Sequence, residues 1–589
     1  MKIESVLVSN WRSIKYLEFK FQSLMILIGQ NNHGKSNILS ALLFFFGEIK
    51  HQDLDFNKGS TELFVEITFS HLDDDDKTTF KKYLTADGKV KVRKTAYLDG
   101  NFEYRGYLEN PVDEWLRESN ASLYTKRELV ETLPIKPFIA NASGRLLKQD
   151  IVDAQNAYMQ ANLDSISFNY ELEETNFLGL KSVAKGIFGN VFFIPAVKDS
   201  IEDFSTKDSS AFGKLYSKMI ESMSHHNDDW KSTKERLSKL FGALNETDSE
   251  GMENHNRPSE LVDFETALSE ELEGWGAKIS VEVTPPNIDD VFKANTQVWV
   301  NDGVRTDIKR KGHGLQRALI FALIKVVSKG LKANTETEDS ETSPRKTSAS
   351  NYFILEEPEL YLHPQAQRSM FDSLVALSES ANQVILCTHS SSLISVDRYE
   401  SIAIVKKESE DLGTKVSQCS EDLFSGNKKK DLNLTYWINP DRSELFFAKR
   451  VVLVEGQTDK IVIPLLAKRM GIFRHDHTLV DCGSKSNIPL YCMLLNKFKI
   501  PYVAVYDLDH QESKLADSIA NADKASADIK DIIDIEIGSS VVFENDIEEE
   551  IGFLATKEAK AYEALVKVGT EGYEIPEKLA DKIRSIYSS

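Results

Sequence analysis

The sequence predicts an α/β chain in which two series of strand–loop–helix units follow one another. Three observations carry that class. A Gly-Lys-Ser loop lies between an apolar strand and an apolar helix in LMILIGQNNHGKSNILSALLFFFG (24–47). Two later apolar stretches, NYFILEEPELYLHPQAQ (351–367) and QVILCTHSSSLI (383–394), run into carboxylates and a histidine. A second series opens near 447 with KRVVLVEGQTDKIVIPLLAKRMG and continues in YVAVYDLDH (502–510). Apolar strands that alternate with helices and end in polar turns are the pattern of parallel sheets in α/β domains.

The first loop is the most informative. Residues 24–28 are short and wholly apolar, as a strand buried on both faces is. After Ser36 the apolar residues Ile38, Ala41, Leu42 and Phe45 recur at helical spacing. Gly29 and Gly34 let the loop curl so that its N–H groups converge on phosphate oxygens, and the new helix points its positive end at the same place. Lys35 is expected to reach the β- and γ-phosphates of a nucleoside triphosphate and Ser36 to hold Mg²⁺. Asn32 and Asn37 belong to the same nucleotide-contacting set. The bland alternative is a chance glycine-rich turn, and the flanking elements weigh against it.

The chain has 589 residues, more than one hydrophobic core supports. Hydrophobic content of 41% and charged content of 28% are those of a soluble globular protein. Cys387, Cys419, Cys482 and Cys492 form no Cys-x-x-Cys pair, which argues against a disulfide framework or a structural zinc site and fits a reducing cytoplasm. The net charge of −21 argues against coating of nucleic acid by the whole chain, while leaving room for a local basic groove or bridging metals. HLDDDD (71–76) reads as solvated surface, with a four-aspartate metal cluster as the less favoured alternative. No apolar run approaches the ~20 residues of a membrane span, and the N-terminal stretch lacks a signal-peptide core.

Further along, ELFVEITF (62–69) reads as a strand, 89–108 as a hairpin turning at Asp99-Gly100, and VFFIPAVKD (191–199) as another strand. Residues 205–275 are mostly helical. KISVEVTPP and TQVWVNDG return to strand, and the Ser/Thr-rich segment 332–350 is expected to be disordered. The expected domains are 1–204 and 276–446 for the first α/β unit, 205–275 for a helical insert, and 447–589 for the second α/β unit.

Glu356 and Glu357 end an apolar strand. One carboxylate there is expected to help hold Mg²⁺ and the next to polarise attacking water; Glu356 stands where an aspartate is usual. His389 ends the next such strand and is a candidate contact to the γ-phosphate, although a lone histidine at a strand end is more often structural. In RKGHGLQRALIFALIKVV (310–327), Gly312 and Gly314 precede an apolar-periodic helix, another anion-accepting N-terminus, with Gln316 as a further nucleotide contact. This segment resembles, in divergent form, the signature motif of ABC-type ATPases. In that family the signature of one subunit closes over nucleotide held by the other, so a complete site implies two chains. With NWRSI (10–14) ahead of the loop, the order of motifs resembles the soluble ABC ATPases of DNA metabolism, the RecF and SMC type, although the insert lacks the sustained heptads of an SMC coiled coil.

In the second unit, Glu455 ends a strand and Asp459 opens a helix, while Asp507 and Asp509 stand at the end of another strand. Alternate residues on a strand share a face, so both aspartates are expected to point into one site. Such an all-oxygen cluster suits Mg²⁺ or Mn²⁺. VVFENDIEEEIG (541–552) adds Glu544, Asp546 and Glu548 as candidates for a second ion; an acidic helix start explains any one of them equally well. The pattern resembles the Toprim domain of topoisomerases, primases and some nucleases.

An ABC-type ATPase followed by a Toprim domain resembles the OLD (overcoming lysogenization defect) nucleases. The resemblance covers about 1–70 and 280–400 for the ATPase and 447–589 for the Toprim half, and residues 205–275 resemble that family's dimerisation insert in position. It implies Glu455, Asp459, Asp507, Asp509 and Glu548 as metal ligands. Asp546-Ile547-Glu548 looks like the family's Asp-Leu-Glu element with isoleucine for leucine. The family's C-terminal catalytic lysine has no clean match, Lys567 and Lys578 being candidates. The implied function is an ATP-using, metal-dependent DNA endonuclease or nickase, cytoplasmic, homodimeric or larger, with a role in anti-phage defence beside a co-encoded partner. The alternative is a RecF-like DNA-binding ATPase with a non-catalytic Toprim domain. Strand transfer of the topoisomerase kind needs a nucleophilic tyrosine in a separate domain, and no such segment is evident.

Overall fold

The computed structural model describes the chain apart from residues 86, 140–144, 163–164, 181–182, 184–185, 197–212, 215, 218–227, 243, 246–253, 255–256, 272–279, 282–296, 335–347, 380–381, 408, 410, 422, 424–442, 512–515, 554–559 and 589. It divides into two compact units. The first comprises Met1–Val191, Ser343–Glu357 and Leu374–Ser589; the second comprises Phe192–Thr342 and Pro358–Ser373.

The first unit contains three sheets. One is antiparallel, in the order Ile14–Lys20, Lys2–Trp11, Glu62–Ser70, Val90–Tyr97, Phe102–Pro111, Phe168–Leu172. The expected 89–108 hairpin is two of its strands, turning at Gly100 with φ 86°. Alternation buries Val90, Val92, Lys94 and Ala96 on one face. Lys94 Nζ donates to Phe44 O (2.6 Å) and lies over the rings of Phe44, Phe102 and Tyr104. This amine caps the C-terminal end of the helix Lys35–Phe45, where the helix dipole is negative, while burial pushes its pKa down to about 7.

The second sheet runs Thr414–Gln418, Ile402–Lys407, Leu24–Ile28, Gln383–Cys387, Asn351–Glu356. Its central strands are parallel and Leu24–Ile28 is buried throughout, as the unbroken apolar run predicts. The third sheet is wholly parallel: His477–Asp481, Arg450–Val454, Tyr502–Asp507, Gly538–Phe543. Val452, Val454, Leu466, Val503, Phe543 and Ile583 build its core. Between Phe102–Pro111 and Phe168–Leu172 lies a small helical module with its own core of Leu116, Ala121, Val130, Ile135, Ile151 and Ala154. All four cysteines are buried free thiols.

In the second unit the helices Asp228–Gly242 and Ser259–Glu271 occupy the expected helical stretch, and Trp299–Asn301 pairs with Arg305–Asp307 before the helix His313–Asn334. The predicted helix LYSKMIESM, the strand KISVEVTPP and the expected disordered segment 332–350 lie largely outside the described residues. Among the described residues no helix is long and apolar enough to cross a membrane.

Candidate nucleotide and metal sites

Lys35, Ser36, Glu356, Glu357 and His389 meet at the C-terminal ends of three neighbouring parallel strands, the place where open α/β sheets take their ligands. Gly29 has φ 147°, and a Cβ there would lie 2.2 Å from Val405 O; Gly34 has φ 101°, and its Cβ would lie 2.5 Å from Thr414 Oγ1. Only glycine fits either position. Lys35 Nζ donates to Gly29 O (2.9 Å) and Gln30 O (3.0 Å), so the cation is held inside the loop's curl. Ser36 Oγ donates to the Glu356 carboxylate: the longer side chain at the aspartate position reaches this serine directly. Glu357 has φ 44°, and its N–H donates to Cys387 O (2.9 Å). That turn sets its carboxylate 3.7 Å from His389 Nε2. Asn32, also left-handed at φ 64°, is exposed in the loop.

NWRSI packs beside the loop. Trp11 Nε1 donates to Ser40 Oγ (2.9 Å), Arg12 reaches Asn37 Oδ1 (3.4 Å) and Asp55 Oδ1 (2.8 Å), and Asn37 Nδ2 donates to Ser13 Oγ (2.7 Å). Asn37 thus ties the first helical turn to this motif.

In the second unit, a Cβ on Gly314 would lie 2.8 Å from Tyr361 O, while one on Gly312 would meet nothing within 4 Å. Gly312 therefore offers open backbone for close approach. Gln316 differs from expectation. It is buried, and Nε2 donates to Ile308 O (2.9 Å) and Lys311 O (3.0 Å). It braces the turn ahead of the helix instead of presenting its amide to nucleotide.

The Toprim-like carboxylates gather at the ends of the third sheet. Glu455 follows its strand, and its Oε1 accepts the Asp507 N–H (2.8 Å). Asp459 lies in the first turn of Gln457–Arg469 and accepts the Gly456 N–H (3.2 Å). Asp509 departs from the same-face expectation: the strand ends at Asp507, and Asp509 sits beyond it with φ 62°. Asp546 caps a short helix through Glu549 N–H (2.8 Å), and its other oxygen takes Gln511 Nε2 (3.0 Å). Glu544 N–H donates to Glu550 Oε1 (3.3 Å). Glu548, 4% exposed, pairs with Lys560 Nζ at 2.8 Å.

Electrostatics show how tightly these groups interact. Burial, then the charges of Asp459, Glu455, Asp509 and Asp546, push Asp507 up to about 9. Burial, then Glu455 and Glu548, push Asp459 up to about 7. For Lys560, burial works against the ammonium, yet the Glu548 hydrogen bond and the fields of Glu548, Asp546 and Asp507 raise its pKa. Lys560 is thus the lysine at the carboxylates, and it was absent from the sequence candidates. Lys567 Nζ donates to Gly552 O (2.9 Å), and Lys578 is exposed on the last helix. Among the described residues no three Asp, Glu, His or Cys side chains converge closely enough to enclose one ion. The donor set is nevertheless all oxygen and strongly self-repelling, which is the chemistry a hard divalent cation relieves.

That repulsion has a measurable sign. Both aspartates bind protons more tightly folded than unfolded, so their contribution to stability is present below the ordinary aspartate pKa and is lost as pH rises through about 7 and about 9. Calorimetric melting of metal-free protein is expected to weaken from pH 6 to 9. Asp507→Asn should flatten this trend, and Mg²⁺ should stabilise more at pH 9 than at pH 6. A melting profile with no pH trend specific to the metal-free wild type contradicts the assignment.

These sites define an ATPase joined to a Toprim-type domain. The family model described as AAA ATPase domain matches residues 1–394, and the chain belongs to that family. The model for the TOPRIM domain of overcoming lysogenization defect-like proteins matches residues 446–509. The Old nuclease of Escherichia phage P2 is 25% identical over 479 residues, covering 80% of this chain and 70% of that protein. The OLD nuclease of Thermus scotoductus is 35% identical over 161 residues, 26% of this chain and 30% of that protein, so this chain matches less than a third of that relative's length. A solved Smc head domain bound to the C-terminal domain of ScpA, from Pyrococcus furiosus, aligns over 71% of this chain and 96% of that one, with 14% identity and a TM-score of 0.35.

Proposed function

We propose that the chain is an ATP-hydrolysing, divalent-metal-dependent DNA endonuclease or nickase. The observation that carries the reading is the gathering of Glu455, Asp459, Asp507 and Glu548 around Lys560 at the ends of parallel strands. Burial first, and then the charges of Asp459, Glu455, Asp509 and Asp546, push Asp507 up to about 9. Glu455, Asp459, Asp507, Asp509, Asp546 and Glu548 are the residues to hold Mg²⁺ or Mn²⁺, on the order of two ions. Bound there, the ions supply an activated water and charge stabilisation at the phosphate. Lys560 brings a fixed positive charge to a phosphate oxyanion, and the carboxylates orient around it. In the other half, Lys35 and the loop amides hold the nucleotide phosphates, Ser36 and Glu356 share its Mg²⁺, Glu357 polarises water, and His389 steadies Glu357.

The open backbone at Gly312 supports closure over nucleotide on a second copy, hence a homodimer or larger assembly. A cytoplasmic role in anti-phage defence, beside a co-encoded partner, is what the resemblance to the OLD nucleases implies and belongs to the same proposal.

Supercoiled plasmid incubated with Mg²⁺, Mn²⁺ or Ca²⁺, with and without ATP, tests it. Nicking is expected with Mn²⁺ at least as fast as with Mg²⁺, because Mn²⁺ tolerates imperfect oxygen geometry, and none is expected with Ca²⁺. Lys560→Ala is expected to slow nicking by about 100-fold or more, as loss of a transition-state cation does, with ATP turnover unchanged. Intact plasmid under every condition favours the DNA-binding ATPase.

A further inference from the structure

Near the end of the strand Tyr502–Asp507 the backbone ladder runs out on one side. Its pairing with Arg450–Val454 stops at Leu453↔Ala504, whereas its pairing with Gly538–Phe543 continues to Asp507↔Phe543. On the unladdered side, the polar backbone groups of Asp507 need other partners. The N–H is taken by the Glu455 carboxylate (2.8 Å), and the carbonyl oxygen accepts from Lys485 Nζ. Two charged side chains thus replace the missing strand and hold the Asp507 main chain from both ends.

Lys485 is 7% exposed and passes over the Tyr506 ring at 5.5 Å. It comes from the loop after His477–Asp481, which is two strands away from Asp507, so its side chain crosses the end of the Glu455 strand. That loop is built to deliver it. Cys482 N–H donates to Val454 O (2.9 Å), Gly483 turns at φ 78° with its N–H on Asp481 Oδ1 (2.8 Å), and Asn487 Nδ2 holds Cys482 O (2.8 Å). A buried ammonium is costly unless its position is useful or compensated, and this one is aimed at the main chain of a residue in the carboxylate cluster.

We propose that Lys485 is a positioning residue of the Toprim site. By fixing the Asp507 carbonyl across the Glu455 strand, it sets where the Asp507 carboxylate stands for metal binding. This rests on the metal-dependent reading above. Outer partners that orient metal ligands typically carry 10- to 100-fold in metal affinity or activity.

The test uses the full chain with Lys485→Met, which keeps length and loses the donor, and Lys485→Arg, which keeps a cation. Mn²⁺ binding is measured by calorimetry with the metal alone, and plasmid nicking is resolved into kcat and KM. Lys485→Met is expected to bind Mn²⁺ about tenfold more weakly or worse, and to lower kcat comparably. KM for DNA and ATP turnover are expected to stay as in wild type, with arginine restoring part of the loss. Wild-type Mn²⁺ affinity in folded Lys485→Met overturns the proposal, as does a raised KM with unchanged metal affinity. Should Lys485→Met fail to fold, Lys485→Arg decides: Mn²⁺ affinity between wild type and a tenfold loss supports positioning, and a fall beyond it, to the level of Asp507→Ala, overturns it. If wild type nicks no DNA, the nuclease reading falls, and Mn²⁺ affinity alone still decides the role of Lys485.

Discussion

Asp507→Ala, and separately Glu455→Ala, are expected to reduce plasmid cutting by about three orders of magnitude or more while ATP hydrolysis continues. Each removes an oxygen donor and a negative charge from a site where burial, and then the repulsion of neighbouring carboxylates, raises Asp507 to about 9. Glu455 also holds the Asp507 N–H, so its loss misplaces the neighbouring ligand as well. Neither change touches the phosphate loop, whose partners are Thr414, Ser13 and Glu356. In the absence of metal and above about pH 9, where Asp507 carries its charge, Asp507→Ala is expected to melt no lower than wild type, because relief of buried like charge offsets the lost side chain. A destabilised variant therefore signals a different cause for lost cutting. If either variant nicks plasmid at the wild-type rate with both metals, the carboxylate cluster is not the nuclease centre.

Lys35→Ala is the second large effect. Its ammonium is held by the Gly29 and Gln30 carbonyls, inside the loop's curl. Removing it is expected to cut ATP turnover by at least about 100-fold and to weaken nucleotide binding, since a positioned cation is worth several kcal/mol to a transferring phosphoryl group. Glu357→Gln separates chemistry from binding. The amide keeps the shape of the left-handed turn at Glu357 and its proximity to His389, but it polarises water poorly. This variant should bind ATP as wild type does and hydrolyse it slowly. Steady-state phosphate release alongside equilibrium binding of a fluorescent ATP analogue reads both. Near-wild-type turnover in Lys35→Ala, or lost binding in Glu357→Gln, refutes the respective role.

The nucleotide loop and the strand-end carboxylates were legible because their signals are local. Five consecutive apolar residues, a glycine that must take positive φ, and a lysine and serine opening a helix sit within one stretch of chain. Asp507 and Glu455 were legible as polar residues closing apolar strands. Asp509 was placed on the strand face because its spacing is two, and the structure ends the strand first. Lys560 was missed because it approaches Glu548 only through the packing of Lys560–Gly569 against Gln457–Arg469, a long-range contact with no local period. Lys485 is hidden for the same reason: it belongs in sequence to the strand beyond Glu455. Gln316 shows the converse error, where a polar residue beside two glycines reads as a ligand contact and its amide is spent on its own turn. The helical module within 112–166 gave a weak signal because its described residues form the short helix Arg127–Val130, the helix Lys148–Ala161 and short 3₁₀ turns.

Thr414–Gln418 forms an outer edge of the nucleotide-loop sheet, with Thr414 against Gly34 and the strand packed by the helix Ile488–Phe498 of the Toprim half. Phe446 stacks edge-on against Phe498 at 5.3 Å, and Lys406 Nζ donates to Lys499 O (2.9 Å). For biogenesis, this makes the earlier-synthesised half a docking template for the later one. Until the second half arrives, Thr414–Gln418 keeps its contacts with Ile14–Lys20 but leaves uncovered the side on which Ile488–Phe498 packs, a surface on which neighbouring nascent chains coalesce. A stop codon near 446 would leave that condition permanent, so truncation at this junction trades a two-part enzyme for an aggregation hazard.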